Sequence, residues 1–363
     1  MTDAPLTSIS QVIGHERAKT TLRAALQSGR VHHAWIFSGP IGVGKRTMAE
    51  AFASMLLDPT TALDLAGEFE PDPDSETQRL LSRRAHPDLH IITKELALYS
   101  DERKIRESRQ RTIAKDVIDT HLLGPIALAS TLHTDSRASK VFIIDEAELL
   151  DASKSNARTQ ASMLKTMEEP PPGSVIILVT SNEERLLTTI RSRCQRVVFG
   201  TLDDLQMKAW MKRAGLDLSG TEAQWTLAFA QGSPGRVMQA VETGLYAWAR
   251  ALEPQLQALD AGRFPIGLGA TMAELVGEWA SAWVSGRKNA SKEAANHAGA
   301  GHMFCLLAAH MQSRLREAAA GDQRETARWL RRIELLTEAE RHIATNVQMS
   351  LAFDNLAIQM IEA

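Results

Sequence analysis

The chain has 363 residues, is 44% hydrophobic and carries a formal net charge of −3. These values are typical of a globular protein with a proper core, and the length predicts two or three domains. A charge this close to neutral argues against a dedicated nucleic-acid coat, so any DNA contact would be local or shared with other subunits.

The N-terminus and the cysteines predict a reducing, aqueous compartment for the chain. Residues 1–5 have no basic flank or apolar run, and no stretch is long enough to cross a bilayer. Cys194 and Cys305 are too few for a disulfide framework or a four-thiolate zinc site, so both are expected as reduced thiols. We expect a cytoplasmic protein without a membrane partner.

The first motif along the chain is a glycine-rich loop between a predicted strand, residues 33–38, and a predicted helix, residues 46–57. The loop, residues 39–47, reads Gly-Pro-Ile-Gly-Val-Gly-Lys-Arg-Thr. In such a loop successive backbone N–H groups surround a phosphate, and the lysine, here Lys45, neutralises its outer charge. The strand–turn–helix setting favours this interpretation over an ordinary tight turn. The glycines of the motif are Gly39, Gly42 and Gly44.

Arg46 occupies the position at which a phosphate-binding loop of this kind has a Ser or Thr that binds Mg²⁺. A guanidinium has five donors and no acceptor, so it cannot ligate a cation. Thr47 is a poor substitute, because one residue further along a helix is about 100° around its axis. The loop is predicted to hold a triphosphate and to be poorly equipped to hydrolyse it, with ATP or ADP and Mg²⁺ left open as ligands.

Two polar stretches follow this helix. Residues 58–76 collect Asp, Glu and Pro, and residues 101–115 are dense in Arg and Lys. Neither has a sustained apolar face, so both are expected as exposed insertions. For the basic stretch a solvated surface is favoured over a nucleic-acid site, because acidic residues interrupt it and no aromatic residue interleaves. The role of the wider insertion, residues 59–111, stays open.

Two further apolar runs, residues 141–144 and 175–180, predict buried strands separated by a helical stretch over residues 155–169. Such runs with polar residues at their C-terminal ends are typical of a parallel α/β sheet whose site lies at the strand ends. The sequence therefore predicts an α/β fold with flanking helices for the first part of the chain.

Polar residues follow both strands. Asp145 and Glu146 complement the loop, since the first carboxylate can orient Mg²⁺ and the second can position or deprotonate water. Ser181 and Asn182 could contact a γ-phosphate or its attacking water. An acidic turn and a simple turn start are the respective alternatives.

Two arginines are candidates for contact with a phosphate outside their own segment. Arg193 lies in a basic cluster, residues 191–196, and an outward guanidinium is the group that completes a neighbour's phosphoryl-transfer site. Arg236 follows a Gly-Ser-Pro-Gly break at a predicted helix start, from which it could reach a bound nucleotide. Surface solvation is the alternative for Arg236.

Only helical patterns remain beyond these strands. Residues 203–215, 221–231 and 236–248 have helix length, the chain is helical in pattern from residue 253 onward, and Asn346 is placed to cap the last helix. The predicted domains are residues 1–200, 201–250 and 251–363.

These motifs together resemble the bacterial clamp-loader AAA+ subunits of DNA polymerase III, and most closely the delta-prime branch of that family. The resemblance is dense from Val12 to about Val198. Its most specific parts are the Leu-Lys-x-x-Glu-Glu-Pro-Pro run at residues 164–171 and the Ser-Arg-Cys triplet at residues 192–194. It implies an α/β P-loop AAA+ domain, a small helical lid and an all-α C-terminal collar domain.

The resemblance also implies partners and residue roles. In such loaders delta, delta-prime and three tau/gamma ATPase subunits open the sliding clamp and close it around primer-template DNA. Carried over, Arg193 becomes an arginine finger that acts in trans, Ser181 or Asn182 the first sensor, and Arg236 the second. The residues that fall on the two Walker positions are Lys45, Asp145 and Glu146.

The chain departs from the family at the metal. Members usually carry a four-cysteine zinc module, whereas residues 59–111 contain no cysteine. We therefore expect no zinc. His86 and His90 lack thiolate or carboxylate partners at ligand spacing and are interpreted as loop and strand residues.

The leading hypothesis is a delta-prime-like, hetero-oligomeric subunit with little or no ATPase activity of its own. It would belong to a DNA-directed DNA polymerase holoenzyme, a nucleotidyltransferase, without being the polymerase. One alternative is an active ATPase motor, tau/gamma-like or another DNA remodeller, which Arg46 disfavours. Another is a structural adaptor whose loop binds no nucleotide.

Overall fold

The computed structural model describes residues 7–106, 112–132, 135–151, 157–285, 287, 291–343 and 348–362. The chain divides into two compact units. The first consists of residues 1–217 with 232–235, and the second of residues 218–231 with 236–363. The three-domain division predicted from the sequence stays a prediction.

A five-stranded, all-parallel sheet forms the centre of the first unit, with strand order β4-β5-β6-β1-β7. Every residue of β1, β5 and β6 is buried, which is why these strands read as continuous apolar runs. The strands of the sheet are β1 Ala34–Ser38, β4 Leu89–Ile92, β5 Lys140–Ile144, β6 Ser174–Thr180 and β7 Gln195–Val198. A separate antiparallel pair consists of β2 Ala62–Leu63 and β3 Phe69–Glu70.

Helices cover both faces of the sheet. Trp35 and Phe37 of β1 point into one apolar cluster, and Ala34 and Ile36 point into another on the opposite face. The helices described in this unit are α1 Glu16–Gln27, α2 Lys45–Leu57, α3 Glu76–Ser82, α4 Arg103–Arg106, α5 Lys115–Ile118, α6 Gly124–Ile126, α7 Arg158–Glu168, α8 Thr188–Arg191 and α9 Asp204–Arg213. The predicted α/β sheet with flanking helices is confirmed.

The strand order brings the predicted site residues to one edge of the sheet. In the register, Ser38 at the end of β1 is the partner of Thr180 at the end of β6, and Ile144 of β5 is the partner of Leu178. Because parallel strands end at the same edge, the loops after β1, β5 and β6 meet there.

The second unit is helical throughout its described part. Its helices surround one apolar core that includes Leu252, Met272, Met303 and Phe353. They are α10 Gly220–Ala230, α11 Pro234–Thr243, which starts in the first unit, α12 Leu245–Asp260, α13 Leu268–Ser285, α14 Lys292–Ala318, α15 Gln323–Ile343 and α16 Met349–Glu362. The predicted cap Asn346 lies outside the described residues, as do parts of the predicted stretches 101–115 and 155–169.

The sequence predicts an exposed insertion at residues 58–76, but part of this segment is buried. Asp58 is fully buried and accepts hydrogen bonds from Ser75 (2.6 Å) and Gln78 (2.9 Å), and Phe69 of β3 is buried too. A few buried side chains anchor this segment. Because such anchors are isolated along the chain, they produce no periodic apolar face in the sequence. Across the described residues, no helix is both long enough and apolar enough to span a membrane.

Candidate nucleotide site and arginine cluster

Three glycines of the loop between β1 and α2 have backbone angles that other residues rarely adopt. The angle φ is +153° at Gly39, +75° at Gly42 and +105° at Gly44. A Cβ at Gly39 would lie 2.3 Å from the carbonyl oxygen of Phe199, and one at Gly42 would lie 2.6 Å from Oγ of Ser233. The fold therefore requires glycine at positions 39 and 42 for both angle and space.

All five carbonyl groups of residues 39–43 accept hydrogen bonds. The donors are Nζ of Lys45 to positions 39 and 40 (2.7 and 2.6 Å), Oγ of Ser233 to position 41 (2.9 Å), the N–H of Gly235 to position 42 (2.8 Å) and Nε2 of His15 to position 43 (2.8 Å). Because a carbonyl only accepts, His15 must carry its proton on Nε2. Burial lowers the pKa of His15, which keeps the ring neutral near pH 7.

The backbone N–H groups of the same loop differ from its carbonyl groups in their hydrogen bonding. Among the hydrogen bonds of the described residues, none has a backbone N–H of residues 41–47 as its donor. The loop therefore satisfies its acceptors and leaves consecutive donors at the start of α2, which is the arrangement that binds anions. The loop fits a phosphate group.

Lys45 is 7% exposed and its ammonium group belongs to the loop itself. Burial lowers its pKa, and the nearby carboxylates of Glu148 and Asp145 act in the opposite direction. Two of the three ammonium hydrogens serve the carbonyls of positions 39 and 40, so one remains for a ligand. Thr47 is exposed on the next position of α2.

Arg46 pairs with two carboxylates. Its Nη1 donates to Oδ2 of Asp145 at 3.0 Å, and its Nε donates to Oε1 of Glu50 at 2.8 Å. The fold family implies a Mg²⁺ ion held through the position of Asp145, and Mg²⁺ requires oxygen ligands at about 2.0–2.1 Å. Here that carboxylate is bound to a guanidinium, so the residues present do not fit a resident Mg²⁺.

Glu146 and Asp145 pair with different cations. Glu146 adopts a left-handed conformation, with φ of +50°, and its carboxylate pairs with Lys94 at 2.8 Å. The structure therefore does not bring the two predicted acidic side chains together on one ligand. This turn could not be predicted from the sequence, because Glu is not a residue that favours positive φ.

Glu148 is a site residue that the sequence reading missed. Its carboxylate accepts from Oγ1 of Thr180 at 2.7 Å, and from both the hydroxyl and the N–H of Ser181. Burial raises the pKa of Glu148, but the hydrogen bonds from Ser181 and Thr180 outweigh it and lower the pKa below its usual value. Asn182, the neighbouring candidate, is exposed and accepts from the N–H of Glu184 at 3.1 Å.

Arg193 follows α8 and precedes β7. Its Nη2 donates to Oε1 of Glu168 at 2.6 Å and its Nη1 to the carbonyl of Thr189 at 2.8 Å. The Arg193 side chain is 34% exposed and that of Glu168 is 49% exposed. Both specific sequence runs, residues 164–171 and 192–194, thus meet at this ion pair.

The remaining candidates are Arg236, His86 and His90. Arg236 belongs to α11 within the second unit. His86 accepts from the N–H of Asp88 at 3.2 Å, and the ring of His90 stacks on Phe142 at 4.6 Å. Within the described part of the chain, no group of three or more His, Cys, Asp or Glu side chains is arranged to hold a metal ion.

Known proteins are similar to this chain in sequence. The delta-prime subunit of DNA polymerase III from Pseudomonas aeruginosa is 30% identical over 203 residues, 56% of this chain and 53% of that protein. The gamma/tau subunit from Mycobacterium tuberculosis is 29% identical over 209 residues, 57% of this chain and 31% of that protein. The chain thus spans about half the length, or less, of these curated relatives.

A solved structure, of a gamma-subunit-related protein of DNA polymerase III from Thermotoga maritima, aligns over 95% of this chain and 98% of that one, at 17% identity and a TM-score of 0.46. That likeness is too distant to bear on function. The family model described as "DNA polymerase III, delta subunit" matches residues 14–203, which is more than half of the chain. The glycine loop, the strand-end acidic residues and the Ser-Arg-Cys triplet all fall within this match, and the chain belongs to that DNA polymerase III clamp-loader family.

Proposed function

We propose that this protein is a delta-prime-like subunit of a DNA polymerase III clamp loader. It would assemble with delta and tau/gamma subunits and help to load the sliding clamp onto primer-template DNA. In this role it hydrolyses little or no ATP itself and supplies Arg193 to the ATP site of a neighbouring subunit.

The ion pair between Arg46 and Asp145 is the observation that carries this proposal. Hydrolysis in a P-loop protein depends on a metal ion that bridges the phosphates and on a carboxylate that positions water. Arg46 pairs with Asp145, the carboxylate that would ligate the metal, and Lys94 pairs with the carboxylate of Glu146. Such a subunit is better suited to assist ATP hydrolysis in a neighbouring subunit than to hydrolyse ATP itself.

The contacts of Arg193 support the second half of the proposal. The guanidinium is held by one half-exposed glutamate and one carbonyl, so that three of its five N–H groups remain for phosphate oxygens. An exposed ion pair contributes about 1 kcal/mol or less. A γ-phosphate across a subunit interface therefore offers Arg193 a stronger partner than Glu168.

The test is ATP hydrolysis by the reconstituted clamp loader, with clamp and primed DNA present, in single-turnover measurements. Arg193→Ala is expected to slow turnover at the served site by about 10³-fold or more, as loss of a finger does. Arg196→Ala is the matched control, because Arg196 lies three residues away, is more exposed and pairs with Glu183. Equal rates in wild type and Arg193→Ala would overturn the proposal.

A second candidate is an active ATPase motor of the tau/gamma type, which the 29% identity to gamma/tau subunits and the intact Lys45 favour. It predicts Mg²⁺-dependent ATP hydrolysis by the isolated chain that Glu146→Gln abolishes. Our proposal predicts no such activity above the level of the Lys45→Ala variant.

A further inference from the structure

Arg46 does more than remove a hydroxyl from the loop, because its guanidinium pairs with two carboxylates. It joins Glu50, one turn along the same helix, to Asp145 at the end of β5. Each of these carboxylate side chains is 21% exposed, and Arg46 itself is 38% exposed. The positive charge thus lies between the two carboxylates beside the phosphate loop.

A divalent ion cannot share this position with the guanidinium. The metal would need an oxygen of Asp145 as a ligand, and the arginine occupies that carboxylate at 3.0 Å. Two cations on one carboxylate repel each other, and the repulsion is larger in a half-buried site than in water. Nucleotide that brings Mg²⁺ with it is therefore disfavoured relative to the metal-free nucleotide.

The guanidinium also has donors to spare. Its contacts use one hydrogen on Nε and one on Nη1, so three of the five N–H groups remain. A planar guanidinium binds phosphate oxygens through paired N–H groups. Arg46 thus offers a phosphate one positive charge, where Mg²⁺ would offer two, together with N–H groups as contacts.

We propose that Arg46 is the built-in cation of this site and that the loop binds a nucleoside diphosphate or triphosphate without Mg²⁺. The inference rests on the nucleotide-type loop of the proposed function but not on the role of Arg193. The unused N–H groups of residues 41–47 and the third hydrogen of Lys45 surround the phosphates, and Arg46 replaces the metal.

The experiment is calorimetric titration of the purified full chain with ADP, in buffer containing either Mg²⁺ or EDTA. For the wild type we expect ADP to bind in EDTA and Mg²⁺ to leave the affinity within about threefold or to weaken it. Arg46→Thr, which restores the hydroxyl and frees Asp145, is expected to bind ADP about tenfold or more tightly with Mg²⁺ than with EDTA. Arg17→Thr, at an exposed arginine of α1, is the control and should behave as wild type.

A second measurement does not depend on affinity. Electron paramagnetic resonance of Mn²⁺ with ADP should show protein-bound Mn²⁺ for Arg46→Thr and none for the wild type. Thermal unfolding of each variant establishes that it is folded. If wild-type chain with a native unfolding transition binds ADP only in Mg²⁺, or binds none in either buffer, the inference is wrong. The Arg193→Ala test of the clamp-loader role stays valid in that case, since the finger acts on a nucleotide held by another subunit.

Discussion

Arg46 and Arg193 each hold a carboxylate, but they do so in different surroundings. Arg46 is shared by Asp145, at the end of β5, and Glu50, in α2, and both carboxylates are mostly buried. Arg193 has a single acidic partner, Glu168, which is half exposed. A guanidinium between two part-buried carboxylates is costly to remove, whereas an exposed pair exchanges easily.

The contrast separates two uses of one side chain. Beside the loop, Arg46 pairs with two part-buried carboxylates, whereas Arg193, after α8, pairs with one half-exposed carboxylate, so we expect the second pair to exchange for another partner more readily. In the sequence, Arg46 and Arg193 are both simply arginines among polar residues. The difference between them depends on the partners that the fold supplies. The predictions below test the burial, packing and charge on each side of it.

The largest expected effect concerns Cys194, directly after Arg193. Burial raises the pKa of its thiol to about 12, so only about 10⁻⁴ of it is thiolate at pH 8. Alkylation by iodoacetamide, followed by peptide mass spectrometry, should be at least ~10²-fold slower at Cys194 than at the exposed Cys305. In denaturant the two rates should converge. Similar rates in the folded protein would contradict the burial of the Cys194 thiol.

The next effect tests the packing of the phosphate loop. Gly42→Ala must adopt φ of +75° and places Cβ 2.6 Å from Oγ of Ser233, whereas Gly29→Ala meets a similar angle, +64°, in open space. We expect the free energy of unfolding to fall by about 2–5 kcal/mol for Gly42→Ala and by about 1–2 kcal/mol for Gly29→Ala. Urea denaturation followed by circular dichroism measures both. Equal losses would mean that Ser233 does not restrain the loop.

The third prediction compares the two arginines directly. Arg46→Ala leaves two carboxylates facing each other beside α2, so the free energy of unfolding should fall by about 1–3 kcal/mol. Arg193→Ala removes an exposed pair and should cost about 1 kcal/mol or less. The same urea experiment at low and high salt checks this. A larger loss for Arg193→Ala would reverse the comparison.

The smallest effect is a pH dependence at Glu148. Its folded-state pKa is lowered, because the hydrogen bonds from Ser181 and Thr180 outweigh the effect of burial. The stabilisation is therefore present above the unfolded carboxyl's pKa, near 4.5, and is lost as the pH falls through the folded pKa. Ser181→Ala should lower the free energy of unfolding by about 1 kcal/mol at neutral pH, and the difference should shrink below about pH 4. A difference independent of pH would exclude this charge as its cause.

Most of the first unit could be predicted, and the reasons are local. The runs at residues 33–38, 141–144 and 175–180 are strands within one residue of their predicted bounds, because central parallel strands must be apolar on both faces. The buried Asp58 and the hairpin after it could not be predicted, since single anchoring contacts leave no periodic pattern. In the second unit Arg332 is 1% exposed and donates to the carbonyl of Met360, a burial that charge alone argues against.

Some features of the site could likewise be predicted from the sequence and others could not. Glycines 39, 42 and 44, the lysine after them and the missing hydroxyl at position 46 are visible in the sequence, because backbone angle and donor type are properties of single residues. The partner of Arg46 is not, since Asp145 lies 99 residues further along the chain. Only the strand order β5-β6-β1 brings these two side chains to one edge of the sheet. An ion pair depends on distance in space, which the tertiary fold sets, so only the fold shows that Arg46 pairs with Asp145.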